Sequence, residues 1–152
     1  MRAFFALVAA VLLFVLTGWV LMNYVFITDE QRIERLIEKG RAAVENGSIL
    51  TLTGLLDSQY THESRLDRAT VLRALQNMFQ NSEERRVHFL NRDIAVEGQT
   101  ATAQIRFVFD AEAQPNQFSA PGAMQALGSA QEMTLRLSKE DGGWAITHSA
   151  LQ

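Results

Sequence analysis

No cysteine occurs in this chain. That excludes disulfides, thiolate nucleophiles, cysteine-based zinc sites and the acylated cysteine of a bacterial lipoprotein. It leaves the redox compartment open, since a cysteine-free domain suits an oxidising or a reducing one. Proline is scarce, and both copies, Pro115 and Pro121, fall in one stretch. Basic runs are missing and the formal net charge is −3, which argues against nucleic acid or an anionic membrane surface as a partner. The three histidines, at 62, 88 and 148, are widely separated. His62-Glu63 has no histidine at the fourth position after His62, so the zinc-protease helix motif is absent and no metal site is expected. There is no Gly-rich phosphate loop, no serine nucleophile elbow and no internal repeat, and no resident cofactor is expected.

The most informative absence is that of charge from Ala3 to Ile27. As a helix this run measures roughly 37 Å, enough to cross a hydrocarbon core of about 30 Å. A cleaved signal peptide has a shorter apolar core and a cleavage site of paired small residues. Here Gly18 is followed by Trp19 and then by bulky residues, which favours an uncleaved anchor. Trp19 and Tyr24 fall towards the far interface, where amphipathic rings settle. Arg2 on one side, with Asp29 and Glu30 first on the other, sets the N-terminus inside and the domain outside. The expected place is therefore the cell inner membrane, single-pass, with residues 1–27 as transmembrane anchor. Residues 28–152 form one domain outside the cytoplasm, periplasmic in a Gram-negative host. Ala6 and Ala10 have a small-xxx-small spacing that suits either helix pairing or ordinary lipid contact.

Past Ile27 the chain is patterned. Thr28-Asp29-Glu30-Gln31 fits a capping box. Ile33, Leu36, Ile37, Gly40, Ala43 and Val44 then form one helical stripe, stopped by Asn46-Gly47. Ser48 caps a short second helix with Ile49, Leu52, Leu55 and Leu56. Asp57 to Leu66 reads as polar and irregular. Asp67 caps a third helix that buries Val71, Leu72, Leu75, Met78 and Phe79.

After Asn81-Ser82 the period becomes two. Arg85 to Val96 is a long strand whose apolar phase slips, and a bulge near Phe89–Asn91 reconciles it. Gly98-Gln99 turns into a strand with Ala101, Ala103, Ile105, Phe107 and Phe109 on one face. Another strand carries Met133, Leu135 and Leu137, and the last carries Trp144, Ile146, His148 and Ala150 after the turn Asp141-Gly142-Gly143. Short connections imply an antiparallel sheet. The long stretch Ala111–Ala130 holds Phe118, Met124 and Leu127, which either cover an opening in the domain or pack outside the sheet.

The Asn46-Gly47-Ser48 break before Leu52–Leu56, the Arg68–Phe79 helix and the run from Lys139 to His148 resemble the nuclear transport factor 2-like superfamily, also called SnoaL-like or cystatin-like. The resemblance covers about Glu30 to Leu151. It implies an α+β cone, three helices packed in a curved antiparallel sheet, with a pocket at its open end. The superfamily holds isomerases, dehydratases, cyclases, epoxide hydrolases, transport factors and secretion-system subunits, so the fold does not name the function. An anchor ahead of such a domain is similar to the arrangement of inner-membrane secretion-system subunits.

On this reading the pocket is lined by Trp144, Ile146, Phe107, Phe109, Met133 and Leu135. His148, in phase with Trp144 and Ile146, points inward, either as a proton shuttle or as a pocket histidine satisfied by a backbone or hydroxyl partner. Tyr60 and His62 lie in the segment that the resemblance places near the mouth, and Tyr60 as donor with His148 as base would make a proton-abstraction site. Asp57 is expected at the end of the second helix and Asp93 on the outer face. The face of His88 is unassigned. The inward phases of the last three strands carry no Asp or Glu, which weakens an enzyme reading. Arg106 and Arg136, with Gln104, Thr134, Ser138, Thr147 and Ser149, describe an outer face that is either solvated or a homodimer interface of the kind the resemblance implies. Two functions are open to such a chain. One is a membrane-anchored, non-catalytic domain that binds a protein partner or a small apolar ligand, with an envelope-assembly subunit as a special case. The other is an isomerase or dehydratase using a His/Tyr pair. The tether and the missing inward carboxylate favour the first.

Overall fold

Three side chains set where the helices begin. Thr28 Oγ1 accepts the Gln31 N–H at 3.3 Å, Ser48 Oγ that of Thr51 at 3.4 Å, and Asp67 Oδ1 that of Thr70 at 2.9 Å. They open α1 (Asp29–Glu45), α2 (Ile49–Leu55) and α3 (Arg68–Gln80). The strands are β1 (Leu56–His62), β2 (Ser82–Glu97), β3 (Thr100–Ala113), β4 (Ala130–Glu140) and β5 (Gly143–Leu151). The computed structural model describes residues 27–113, 128–141 and 143–151. The anchor expected at 1–27 lies outside these but for Ile27, as do Phe118, Met124 and Leu127. Among the described residues no helix is long and apolar enough to cross a membrane.

The strands form one sheet in the order β1-β5-β4-β3-β2. The β2–β3, β3–β4 and β4–β5 pairs are antiparallel. The expected sheet is corrected at one edge: β1 is a strand, and it pairs parallel to β5. Asp57–His62 hides this in sequence because the strand is short and polar on both phases, with only Leu56 and Tyr60 to mark its inward face. In β2 the register shifts between Phe89 and Asn91, with Leu90 extruded and 56% exposed, as the slipped apolar phase requires.

The core is the stripe of α1 laid on the inner face of the sheet. Ile33, Leu36, Ile37 and Ala43 meet Ala101, Ala103, Ile105, Leu135, Leu137, Trp144 and Ile146, with Leu52 and Leu55 of α2 alongside. Helix α3 has no fully buried residue, and its Val71, Leu72, Leu75 and Phe79 are half-buried against that core.

Polar knots lock the helices to the sheet. Arg85 donates from Nε to Val44 O and from Nη1 to Phe79 O, each at 3.1 Å, and it also reaches Ser82 O. It thus satisfies carbonyls at the C-terminal ends of both α1 and α3. Gly47, at φ +66°, makes room: a Cβ there would lie 2.8 Å from Arg85 Nη2. Further along β2, Glu45 accepts the Val87 N–H at 2.9 Å, and Arg92 bridges to Glu38 at 2.5 Å and Glu34 at 3.5 Å. At the other end of α1 the Asp29 carboxylate binds Lys139 Nζ at 3.0 Å and accepts from Trp144 Nε1 at 3.2 Å.

Arg85→Ala is expected to lose about 2 kcal/mol in urea denaturation, because partly buried helix-terminal carbonyls lose charged donors. Asp29 generates a second expectation. The hydrogen bond from Lys139, and then that from Trp144, hold its carboxyl below the ordinary carboxylate value. The stabilisation is therefore complete above the unfolded value of about 3.9 and disappears as pH falls through the lowered folded value. Asp29→Asn should be less stable at neutral pH and less acid-sensitive below about pH 4, read from urea midpoints across that range.

Candidate functional site

Pairing of β1 beside β5 decides which side chains meet. Thr61 is in register with His148, and His62 with Ser149. Tyr60, two residues before His62, therefore points inward and is 4% exposed. Its hydroxyl shares a 2.5 Å hydrogen bond with Ser149 Oγ, itself buried. Burial pushes the Tyr60 phenol above its usual value, and the bond to Ser149 only partly offsets this. The phenol is neutral at physiological pH, and either hydroxyl of the pair can be the donor.

His148 is not part of this pair. Opposite β4 the register shifts between Arg136 and Leu137, so Arg136 faces His148 while Leu137 faces Ile146, and Thr147 is the extra residue. The bulge reverses the phase of the strand. Trp144 and Ile146 are inward, then Ser149 is inward in place of His148. His148 lies on the outer face, half-buried, with Nδ1 3.2 Å from Thr61 Oγ1. Tyr60 and His148 are thus on opposite sides of the sheet. Ser149, expected on the outer face, is an inner residue. A bulge at a β-branched threonine leaves no mark in the alternation of residue types, so sequence reasoning missed it.

His62 sits at the lip of the inner face. Its Nδ1 accepts the Ser64 N–H at 3.2 Å, which places the neutral ring's proton on Nε2. The turn after it is pinned: Glu63 N–H donates to Ser149 O and His62 N–H to Leu66 O, both at 2.9 Å.

The six expected lining residues divide by depth. Trp144, Ile146 and Leu135 are buried core. Phe107, Phe109 and Met133 are half-buried, on rows nearer the end where β5 finishes. Asp57 accepts the Gln59 N–H at 2.7 Å at the start of β1, and Asp93 is exposed opposite Gln104 on the outer face. The inward phases of β2 to β5 carry no Asp or Glu among the described residues. His88 is on the outer face, in an open cleft of about 510 Å³ lined also by Glu84, Arg86, Asp110, Ala111, Glu112 and Gly128. Among the described residues no group of three or more histidines and carboxylates could hold a metal ion.

Chemically, the inner face offers apolar surface, one buried hydroxyl pair and an imidazole at its lip. It can accept or donate a hydrogen bond to an apolar molecule. No carboxylate is among these groups, and the His62 imidazole at the lip is the candidate base on this face.

No protein-family model and no curated protein matches the chain in sequence. Solved structures do match it in shape. A nuclear transport factor 2-like protein from Cytophaga hutchinsonii is 15% identical with a TM-score of 0.66, over 83% of this chain and 98% of that one. A candidate dehydratase of the same fold family from Streptomyces avermitilis is 16% identical, TM-score 0.63, over 81% and 94%. A candidate ketosteroid isomerase from Shewanella frigidimarina is 16% identical, TM-score 0.58, over 78% and 92%. The domain therefore has the nuclear transport factor 2-like fold, α+β with a curved sheet around its helices.

The chain has two tyrosines, Tyr24 and Tyr60. Because the folded value of Tyr60 is raised, its contribution to stability is complete below the unfolded value of about 10 and is lost as pH rises from there through the folded value. Ultraviolet titration should show one tyrosine ionising late and together with alkaline unfolding, and Tyr60→Phe should remove that late step.

Proposed function

We propose that this is a membrane-tethered, non-catalytic binding domain whose inner face takes a small apolar molecule bearing one hydrogen-bonding group. The observation that carries the reading is the division of the acid–base candidates. His148 is outside the sheet, while Tyr60 is inside, neutral and already bonded to Ser149. A carbon acid held against Phe107 and Met133 would meet a neutral hydroxyl pair and no carboxylate, with His62 out at the lip as the one histidine on that face. An apolar guest with a hydroxyl or carbonyl would meet a matched site, apolar walls with a single polar contact. The uncharged run at 3–27 supports the tether.

The enzyme reading keeps one support. Two proteins of similar shape are named as a candidate dehydratase and a candidate ketosteroid isomerase. In this chain it would have to run on Tyr60 with His62, the imidazole on the same face.

The test is photolabelling of the full chain in nanodiscs with an aliphatic diazirine alcohol, followed by peptide mapping. Adducts competed by the unmodified alcohol should fall on the peptides of Phe107 and Met133. Labelling in Tyr60→Phe should drop about fivefold, the value of one hydrogen bond, and His148→Ala should leave it unchanged. Competed adducts confined to residues 3–27 or to the outer face would sink the binding site. Turnover of a carbonyl substrate lost in His62→Ala would replace binding with catalysis.

A further inference from the structure

Tyr60 is 4% exposed and Ser149 7%, so a guest can reach their hydroxyls only if a packed element moves aside. The three helices differ in how firmly they are held. Helix α1 buries Ile33, Leu36, Ile37 and Ala43, and α2 buries Leu52 and Leu55. Helix α3 fully buries none of its 13 residues. Its Val71, Leu72, Leu75 and Phe79 are half-buried, and it lies against α2 and against β1, the strand of Tyr60. An element with so little buried apolar surface can open while the rest of a domain stays folded.

What fastens α3 is polar and sits at its two ends. At its start Asp67 caps it and bridges to Thr61 of β1, and Arg68 Nη2 donates to Thr53 O of α2. Arg68 Nε is buried and has no hydrogen-bond partner among the described residues. An unpaired buried donor costs free energy, which opening returns by rehydration. At its other end α3 has no basic residue in its last turn. Arg85 of β2 supplies that charge. Its Nη1 donates to Phe79 O at 3.1 Å, and its guanidinium lies 5.0 Å from the centre of the Phe79 ring. Ser82 Oγ adds a bond to Met78 O at 2.6 Å. Arg85 is also held on α1 through Val44 O, so it stays with the body of the domain when α3 leaves.

We propose that α3 is the movable wall of the domain: it opens as a unit, with Arg85 as its latch, and uncovers Tyr60 and Ser149 to the guest. The fully buried core that joins α1 to the sheet has no member from α3, so α1 and the sheet stay folded meanwhile. This rests on the inner-face binding reading and adds the element that admits the guest. A guest that binds only the open state raises its population.

The test is hydrogen exchange of the full chain in nanodiscs, read by mass spectrometry on peptides of α1 and α3. Corrected for sequence, α3 amides should exchange about a hundredfold faster than those of α1, with a shallower dependence on urea. Ile33→Val should speed the α1 amides about fivefold and leave those of α3 unchanged, because Ile33 stays buried when α3 opens. Arg85→Ala should speed α3 about tenfold. Equal acceleration of both helices by Ile33→Val overturns opening as a unit, and α3 exchange indifferent to Arg85→Ala overturns the latch. A second arm adds the aliphatic diazirine alcohol in the dark, which should speed α3 exchange severalfold. If the alcohol labels the Phe107 and Met133 peptides on irradiation but leaves α3 exchange unchanged, the movable wall is refuted and the binding reading stands. If α3 opens as expected and the alcohol labels nothing on the inner face, the opening stands and the binding reading falls.

Discussion

The structure depends on one helix being enclosed by one sheet. Ile33 of α1 is wholly buried, and Ile105 and Leu137 on the middle strands are 1% exposed. Each fully buried side chain of this size contributes about 1.5–3 kcal/mol relative to exposure, so the α1 stripe and its sheet partners dominate the stability of the domain. The sheet can curve round α1 because β2 extrudes Leu90 and β5 extrudes Thr147. Packing thus dictates the bulges, and the bulges dictate which polar side chains face inward.

That chain of causes explains what could be read in advance. The three caps, the α1 stripe and the Asn46-Gly47 stop are local patterns, visible wherever side-chain type tracks backbone state. The bulge of β2 was visible too, because its apolar residues change phase between Phe89 and Ile94. The bulge of β5 was not, since Thr147, His148 and Ser149 are all polar and no apolar residue records the slip. Strand β1 was missed for a related reason: its pairing comes from β5, far away in sequence, and its own residues alternate too weakly. The candidate site falls where these two silent features meet. Tyr60 was legible as a residue of interest, Ser149 was not, and His148 was assigned to the wrong side.

The exchange of His148 for Ser149 changes the chemistry of the interior. An imidazole inside the sheet would have offered a proton acceptor titrating near neutrality. A serine hydroxyl bonded to a desolvated phenol offers a fixed dipole that changes little across physiological pH. Two of the three histidines are instead on the outer face, His88 in a cleft with Arg86 and carboxylates and His148 opposite Arg136. The fold thus separates a chemically quiet interior from an ionisable exterior.

The Glu45 carboxylate on the Val87 N–H has a consequence for how copies of this chain coexist. Strand β2 is one of the two edge strands of the sheet and is 16 residues long, a template on which a neighbouring molecule's strand could add. Glu45 occupies one of its donors, the Leu90 bulge breaks its regular spacing, and Arg92, bridged to α1, hangs over it. Confinement to a surface would multiply encounters between copies. Under that condition the same carboxylate that docks the helix also keeps one sheet from growing into the next.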